Sequence, residues 1–134
     1  GHATLYAVGA DGMSRLGAPN ELIARDVSEV TVQVVTLDEF CAERRLEPDW
    51  LFVDIEGFEI AALEGARELI ERRGAAMRLV VEMHPSVWDS AETSRASAET
   101  LLRELGLRAV PLTGQTDALG EHGIVSLEHT GDAH

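Results

Sequence analysis

Four ionisable side chains fall at matching places in two apolar runs. Trp50-Leu51-Phe52-Val53 stops at Asp54, and Leu79-Val80-Val81 runs into Glu82; Glu56 and His84 lie two residues further along each segment. A continuous apolar run of this kind reads as a strand buried on both faces, the habit of a parallel sheet. Open parallel sheets bind their ligands beyond the carboxyl ends of the strands. Two consecutive parallel strands therefore bring Asp54 and Glu82 to one edge, with Glu56 and His84 close enough to join them. Histidine has the ordinary pKa nearest neutrality, which suits a general base. Carboxylates can orient a polar substrate or, with water, hold Mg²⁺. No additional ligand cluster is evident around Asp54 and Glu82, so no metal is expected. The plainer reading of each acid is a strand end facing water, and of His84 a structural residue before the Pro85 turn.

The elements that must position these residues follow from periodicity. Ala3 to Val8 is a short β-prone run ending in the turn Gly9-Ala10-Asp11-Gly12, and residues 13 to 28, with Gly17 and Pro19, read as loop. Val30, Val32 and Val34 alternate with polar neighbours as in a half-buried strand. Thr36-Leu37-Asp38-Glu39 fits a capping box opening a helix that lasts to about Leu46. After Asp54, a turn containing Gly57 leads to a helix expected from about Glu59 to Arg73, striped by Ile60, Leu63, Ala66 and Ile70 and closed by Gly74. Residues 86 to 97 read as a surface loop. Ala98, Leu101, Leu102 and Leu105 mark a further helix ended by Gly106. Leu107 to Leu112 and Gly123 to Leu127 read as a hairpin-like antiparallel pair, and Thr130 to His134 as a frayed tail. The strand-helix alternation calls for an α/β layer structure with a mostly parallel sheet and helices on both faces.

Composition narrows the function. Among 134 residues the net charge is −13, and all 11 basic residues are arginine. So acidic a domain repels phosphate backbones, which excludes nucleic acid as the expected partner. No apolar stretch approaches the roughly 18 residues of a membrane span, and no export signal is visible, so a cytoplasmic protein is expected. The single cysteine, Cys41, excludes an internal disulfide and reads as inert packing on a helix face. Trp50 reads as a core anchor; Trp88, in the loop after the second acid, is the better placed of the two tryptophans to meet a substrate.

These residues carry a resemblance. Val35-Thr36-Leu37-Asp38, Phe52-Val53-Asp54-Ile55-Glu56-Gly57-Phe58-Glu59, Leu63-Glu64-Gly65-Ala66 and Val80-Val81-Glu82-Met83-His84 are similar, in order and spacing, to the recurring T-L-D, D-x-E-G-x-E, L-x-G-A and E-x-H segments of FkbM-type methyltransferases. The D-x-E-G-x-E followed by L-x-G-A is the specific part. The match covers about residues 30 to 130, and segments near Ala3 to Tyr6 and Met13 to Leu16 resemble what precedes T-L-D in that family. Phe52 stands where the family often has lysine, so that residue's role is not carried over. The resemblance implies a Rossmann-like class I methyltransferase fold whose last strand is antiparallel. It implies S-adenosylmethionine as cofactor and a hydroxyl oxygen of a small molecule, sugar or natural product as acceptor. Asp54 is then expected near the methyl donor and acceptor, in both a catalytic and a cofactor-binding place. Glu82 and His84 are expected as catalytic residues, and Glu56 and Trp88 as substrate-binding ones.

The glycine-rich cofactor loop of such enzymes is not recognisable. Val8-Gly9-Ala10-Asp11-Gly12 resembles it superficially, but too few residues separate Gly12 from Thr36 for the strand-helix units that must follow. The expectation is therefore that residues 1–134 form the C-terminal part of one methyltransferase domain without its cofactor-binding half, inactive alone. Truncation is the favoured explanation; a second chain supplying the missing half and a remnant with another role are the others. Losing a neighbour would leave the Trp50 strand as an exposed apolar edge. The competing functional reading is a non-enzymatic α/β interaction or regulatory module, and a third is a metal-dependent hydrolase with an ion between Asp54 and Glu82.

Overall fold

The computed structural model describes the backbone of residues 2–8, 15–16 and 27–131, and side chains from residue 32 onward. The expected turn at Gly9–Gly12, the Gly17 and Pro19 loop and the last three residues of the tail lie outside the described residues. The chain divides into two compact units, Gly1–Val35 and Thr36–His134.

The first unit is an antiparallel sheet of strands β1 (His2–Val8), β2 (Arg15–Leu16) and β3 (Val27–Gln33), in the order β2-β1-β3. Tyr6 pairs with Arg15 on one side and with Glu29 on the other. The Val30 strand was expected to open the alternating α/β sheet; instead it pairs along its whole length with β1. Part of the expected loop is also strand, at Arg15–Leu16.

The second unit holds helix α1 (Leu37–Arg44), strand β4 (Trp50–Val53), helices α2 (Glu59–Glu64) and α3 (Arg67–Arg73), strand β5 (Arg78–Met83), helix α4 (Arg95–Glu104) and strands β6 (Leu107–Pro111) and β7 (Gly123–His129). Its sheet runs β4-β5-β7-β6. β4 and β5 are parallel, and β7 is antiparallel to both of its neighbours. The sheet is therefore mixed rather than mostly parallel, because β7 returns between β5 and β6 instead of adding at the edge. The expected antiparallel pairing of the last two strands is present.

Burial alternates along β5 and β7. Leu79, Val81 and Met83 face the core with Val125 and Leu127, while Val80, Glu82, Ile124 and Ser126 are less covered. One face thus carries the single core, shared with Ile60, Leu63, Leu69, Ile70, Leu101 and Leu102 from the helices. Helices on both faces, and a β4 strand buried on both, are not what the second unit shows. β4 is an edge strand whose Trp50 and Phe52 are 64% and 58% exposed, so Trp50 is not a core anchor. The Arg78 guanidinium lies 5.7 Å from the Trp50 ring centre, a cation–π contact that partly shields it. Cys41 is a free, buried thiol, as expected.

The long helix expected from Glu59 to Arg73 is two helices, broken at Gly65-Ala66. Both sides of the break are held by the start of α1. The Gly65 carbonyl accepts from Asp38 N at 2.9 Å, and a Cβ on Gly65 would lie 3.2 Å from that of Thr36. The Asp38 carboxylate accepts from Glu68 N at 3.1 Å and Leu69 N at 2.8 Å. Those amides are the second and third of α3, so Asp38 caps a helix it does not belong to. Thr36 caps α1 by accepting from Glu39 N at 3.0 Å, the forward half of the expected box. Asp38→Ala is expected to cost about 1–2 kcal/mol, the usual loss for a helix cap, read as a lowered urea midpoint with an unchanged slope.

Candidate active site

β4 and β5 run in register, with Val53 opposite Val81. Asp54, the residue after β4, and Glu82, near the end of β5 and opposite Ile124, lie at the same edge. Glu82 and His84 are two apart and so project from the same face. His84 Nε2 lies 3.2 Å from Glu82 Oε2 and 3.7 Å from Asp54 Oδ1. Three of the sequence-predicted residues therefore converge.

The turn between β4 and α2 builds the floor. Phe58 N donates to Ile55 O at 3.0 Å, and the two residues between, Glu56 and Gly57, have φ of 25° and 100°. Glycine is required at the second place, because a Cβ there would come within 2.7 Å of the Val87 carbonyl oxygen. This bend turns Glu59 inward at the first position of α2. Its carboxylate is 0% exposed and surrounded by donors. Oε2 accepts from Gly57 N at 2.7 Å. Oε1 accepts from His84 N and from Trp88 Nε1 at 3.3 Å, and lies 3.2 Å from His84 Nδ1. Carboxylates thus face both ring nitrogens of His84, Glu59 at Nδ1 and Glu82 at Nε2, each at 3.2 Å.

Glu82 meets the opposite situation. The hydrogen-bonding Asp54 carboxylate beside it, then partial burial, push its carboxyl above the ordinary range, while His84 and His122 act the other way. His122 is a member that sequence reading missed. Its Nε2 lies 3.7 Å from Glu82 Oε1, and its ring stacks on that of His84 with centres 4.7 Å apart. The loop that presents it is well tied. Arg95 grips Asp117 through two bonds of 2.7 and 2.9 Å, and Glu121 Oε1 accepts from Thr116 N and Asp117 N. The guanidinium holds the Asp117 carboxyl below its ordinary range.

The other sequence candidates lie differently. Trp88 is 3% exposed and reaches the cluster through Glu59, from the core side. Glu56 is exposed and makes no side-chain hydrogen bond or ion pair among the described residues. Glu59 was legible as part of D-x-E-G-x-E but not as the buried acceptor. Its signal is its place at the first turn of a helix, five residues after the strand-ending acid Asp54.

The arrangement is an acid-and-histidine rim on the carboxyl edge of parallel strands, in a β4-β5-β7-β6 sheet with one reversed strand. The sequence pattern of the methyltransferase FkbM domain matches residues 1–109. The chain belongs to that family of methyltransferases. No curated protein and no solved structure matches it. Among the described residues, no helix is long and apolar enough to cross a membrane.

Two outcomes test this geometry. Glu59→Gln places an NH₂ group among donors and is expected to cost about 1–3 kcal/mol of stability, the range for a buried polar group left unsatisfied, as read by denaturant titration. For Glu82, a pKa raised in the folded state means stability that is fully present below its unfolded value and is lost as pH rises through the folded one. Glu82→Gln should match the parent protein below about pH 4.5, near the ordinary glutamate pKa, and gain in relative melting temperature as pH rises toward neutrality.

Proposed function

We propose that the protein transfers a methyl group from S-adenosylmethionine to a hydroxyl oxygen of a small-molecule, sugar or natural-product acceptor. The observation that carries this reading is the convergence of Asp54, Glu82 and His84 on one strand-end edge, with Glu59 behind His84. Methyl transfer is an in-line displacement at a sulfonium carbon, so holding the acceptor oxygen in line contributes much of the acceleration. A neutral hydroxyl is a weak nucleophile and gains from a base within hydrogen-bond reach. His84 Nε2 is that base in this proposal: it takes the hydroxyl proton while Glu59 steadies the imidazolium from Nδ1. The oxygen–carbon bond forms as the carbon–sulfur bond breaks, and S-adenosylhomocysteine leaves uncharged at sulfur.

Asp54, between the strand edge and the acceptor, orients the hydroxyl and borders the methyl donor. Glu56, exposed on the adjoining turn, is placed to meet the acceptor from solvent. Trp88 acts by positioning Glu59.

Calorimetric titration of S-adenosylhomocysteine into the full-length protein tests the reading. Binding is expected; its absence overturns the proposal and leaves an α/β interaction module as the better account. With an acceptor identified from a panel of hydroxylated natural products, His84→Ala should lower kcat by about 10²–10⁴-fold, the usual contribution of a general base, with S-adenosylhomocysteine affinity unchanged.

A further inference from the structure

The rim, with His84 among its members, contains a set of donor atoms with the makings of a metal centre. In the antiparallel register of β5 and β7, Met83 faces Gly123, so the next pair outward is His84 and His122. Glu82, on the same face as His84, completes the group. One ligand atom from each of Glu82, His84 and His122 lies within 4.8 Å of the others.

Two imidazoles and one carboxylate are a donor set for a borderline divalent transition ion such as Zn²⁺, Mn²⁺ or Fe²⁺, rather than for the all-oxygen preference of Mg²⁺. Catalytic sites of this kind keep three protein ligands and leave a position open. Ligand atoms about 3.3 Å apart suit tetrahedral zinc with bonds of about 2.0–2.1 Å. The Glu82–His84 separation of 3.2 Å already has that value. The rest of the closure falls to His122, whose side chain is 64% exposed and stacks on the His84 ring.

An independent observation points the same way. Metal-bound histidines usually give their second ring nitrogen to a carboxylate, which fixes the tautomer and strengthens the ligand. Glu59, fully buried and 3.2 Å from His84 Nδ1, occupies that place.

We propose that Glu82, His84 and His122 bind one divalent transition-metal ion, zinc in the first instance, with the open position facing the acceptor. This rests on the methyltransferase reading for its role and deepens it. Coordination to the ion lowers the pKa of the acceptor hydroxyl. With the ion on His84 Nε2, Asp54 replaces His84 as the base and takes the hydroxyl proton, while the methyl group moves from sulfur to the resulting oxygen.

The test is calorimetric titration of ZnCl₂ into the chelator-treated full-length protein, with CoCl₂ as a spectroscopic probe. One ion per chain is expected, with the visible bands of a four-coordinate cobalt site. His122→Ala should weaken zinc by more than the roughly 10–100-fold typical of losing an outer-shell partner, with circular dichroism unchanged. His129→Ala, as a control histidine, should leave binding intact. No zinc binding, or equal binding by His122→Ala, overturns the site. S-adenosylhomocysteine titrated into the same samples separates the two readings. Its binding without zinc removes only the metal; zinc binding without it removes the methyltransferase role and keeps the ion.

Discussion

A carboxylate buried to zero exposure holds the site together. Removing Glu59 from water is costly unless its oxygens are occupied, and four donor atoms occupy them: Gly57 N, His84 N, Trp88 Nε1 and His84 Nδ1. Those donors come from the turn after β4, the end of β5 and the short 3₁₀ segment beyond it. A single side chain therefore fixes the spacing between two strand ends and the rotation of the imidazole that lies over them. Gly57 is bound up in the same constraint, since its positive φ turns the chain so that Glu59 can reach inward and Val87 can close over it.

The second fixed point lies one helical layer away. Asp38 caps α3 from the first turn of α1, and Gly65 allows Thr36 to approach the break between α2 and α3. The T-L-D and L-x-G-A segments thus meet each other, not the rim. Their work is to set where α2 ends. That in turn fixes where its first residue, Glu59, enters the core. The motifs divide cleanly: D-x-E-G-x-E and E-x-H furnish the site, while the other two support the helix that holds its buried acid.

Much of this was legible in the chain. The strand ends at Asp54 and Glu82, the i, i+2 step to His84, the Thr36 cap and the antiparallel pairing of the last two strands all follow from local patterns. What was not legible depends on tertiary choices. The apolar run Trp50 to Val53 reads by periodicity as doubly buried, whereas the expectation of an exposed apolar edge there is what the structure shows. The helix break at Gly65 leaves the apolar stripe intact, so the stripe hides it. His122 precedes a strand 38 residues downstream of His84, and only the β5–β7 register brings the two rings together.

The reversed strand also explains why such a site can hold more than a parallel sheet alone would give. In a parallel array every strand brings its carboxyl end to the functional edge, and each contributes residues that follow it. β7 runs the other way, so the edge that receives the ends of β4 and β5 receives its beginning. A residue preceding β7 is then delivered to the same rim as residues following β5, from the far side of the acids. That is how His122 comes to stack on His84 and approach Glu82 from the side opposite Asp54. The rim is built from three chain segments rather than two, and its crowding of acceptors follows from that topology. Two carboxylates pressed together at one edge push the Glu82 carboxyl above its ordinary range, and the two imidazoles act the other way.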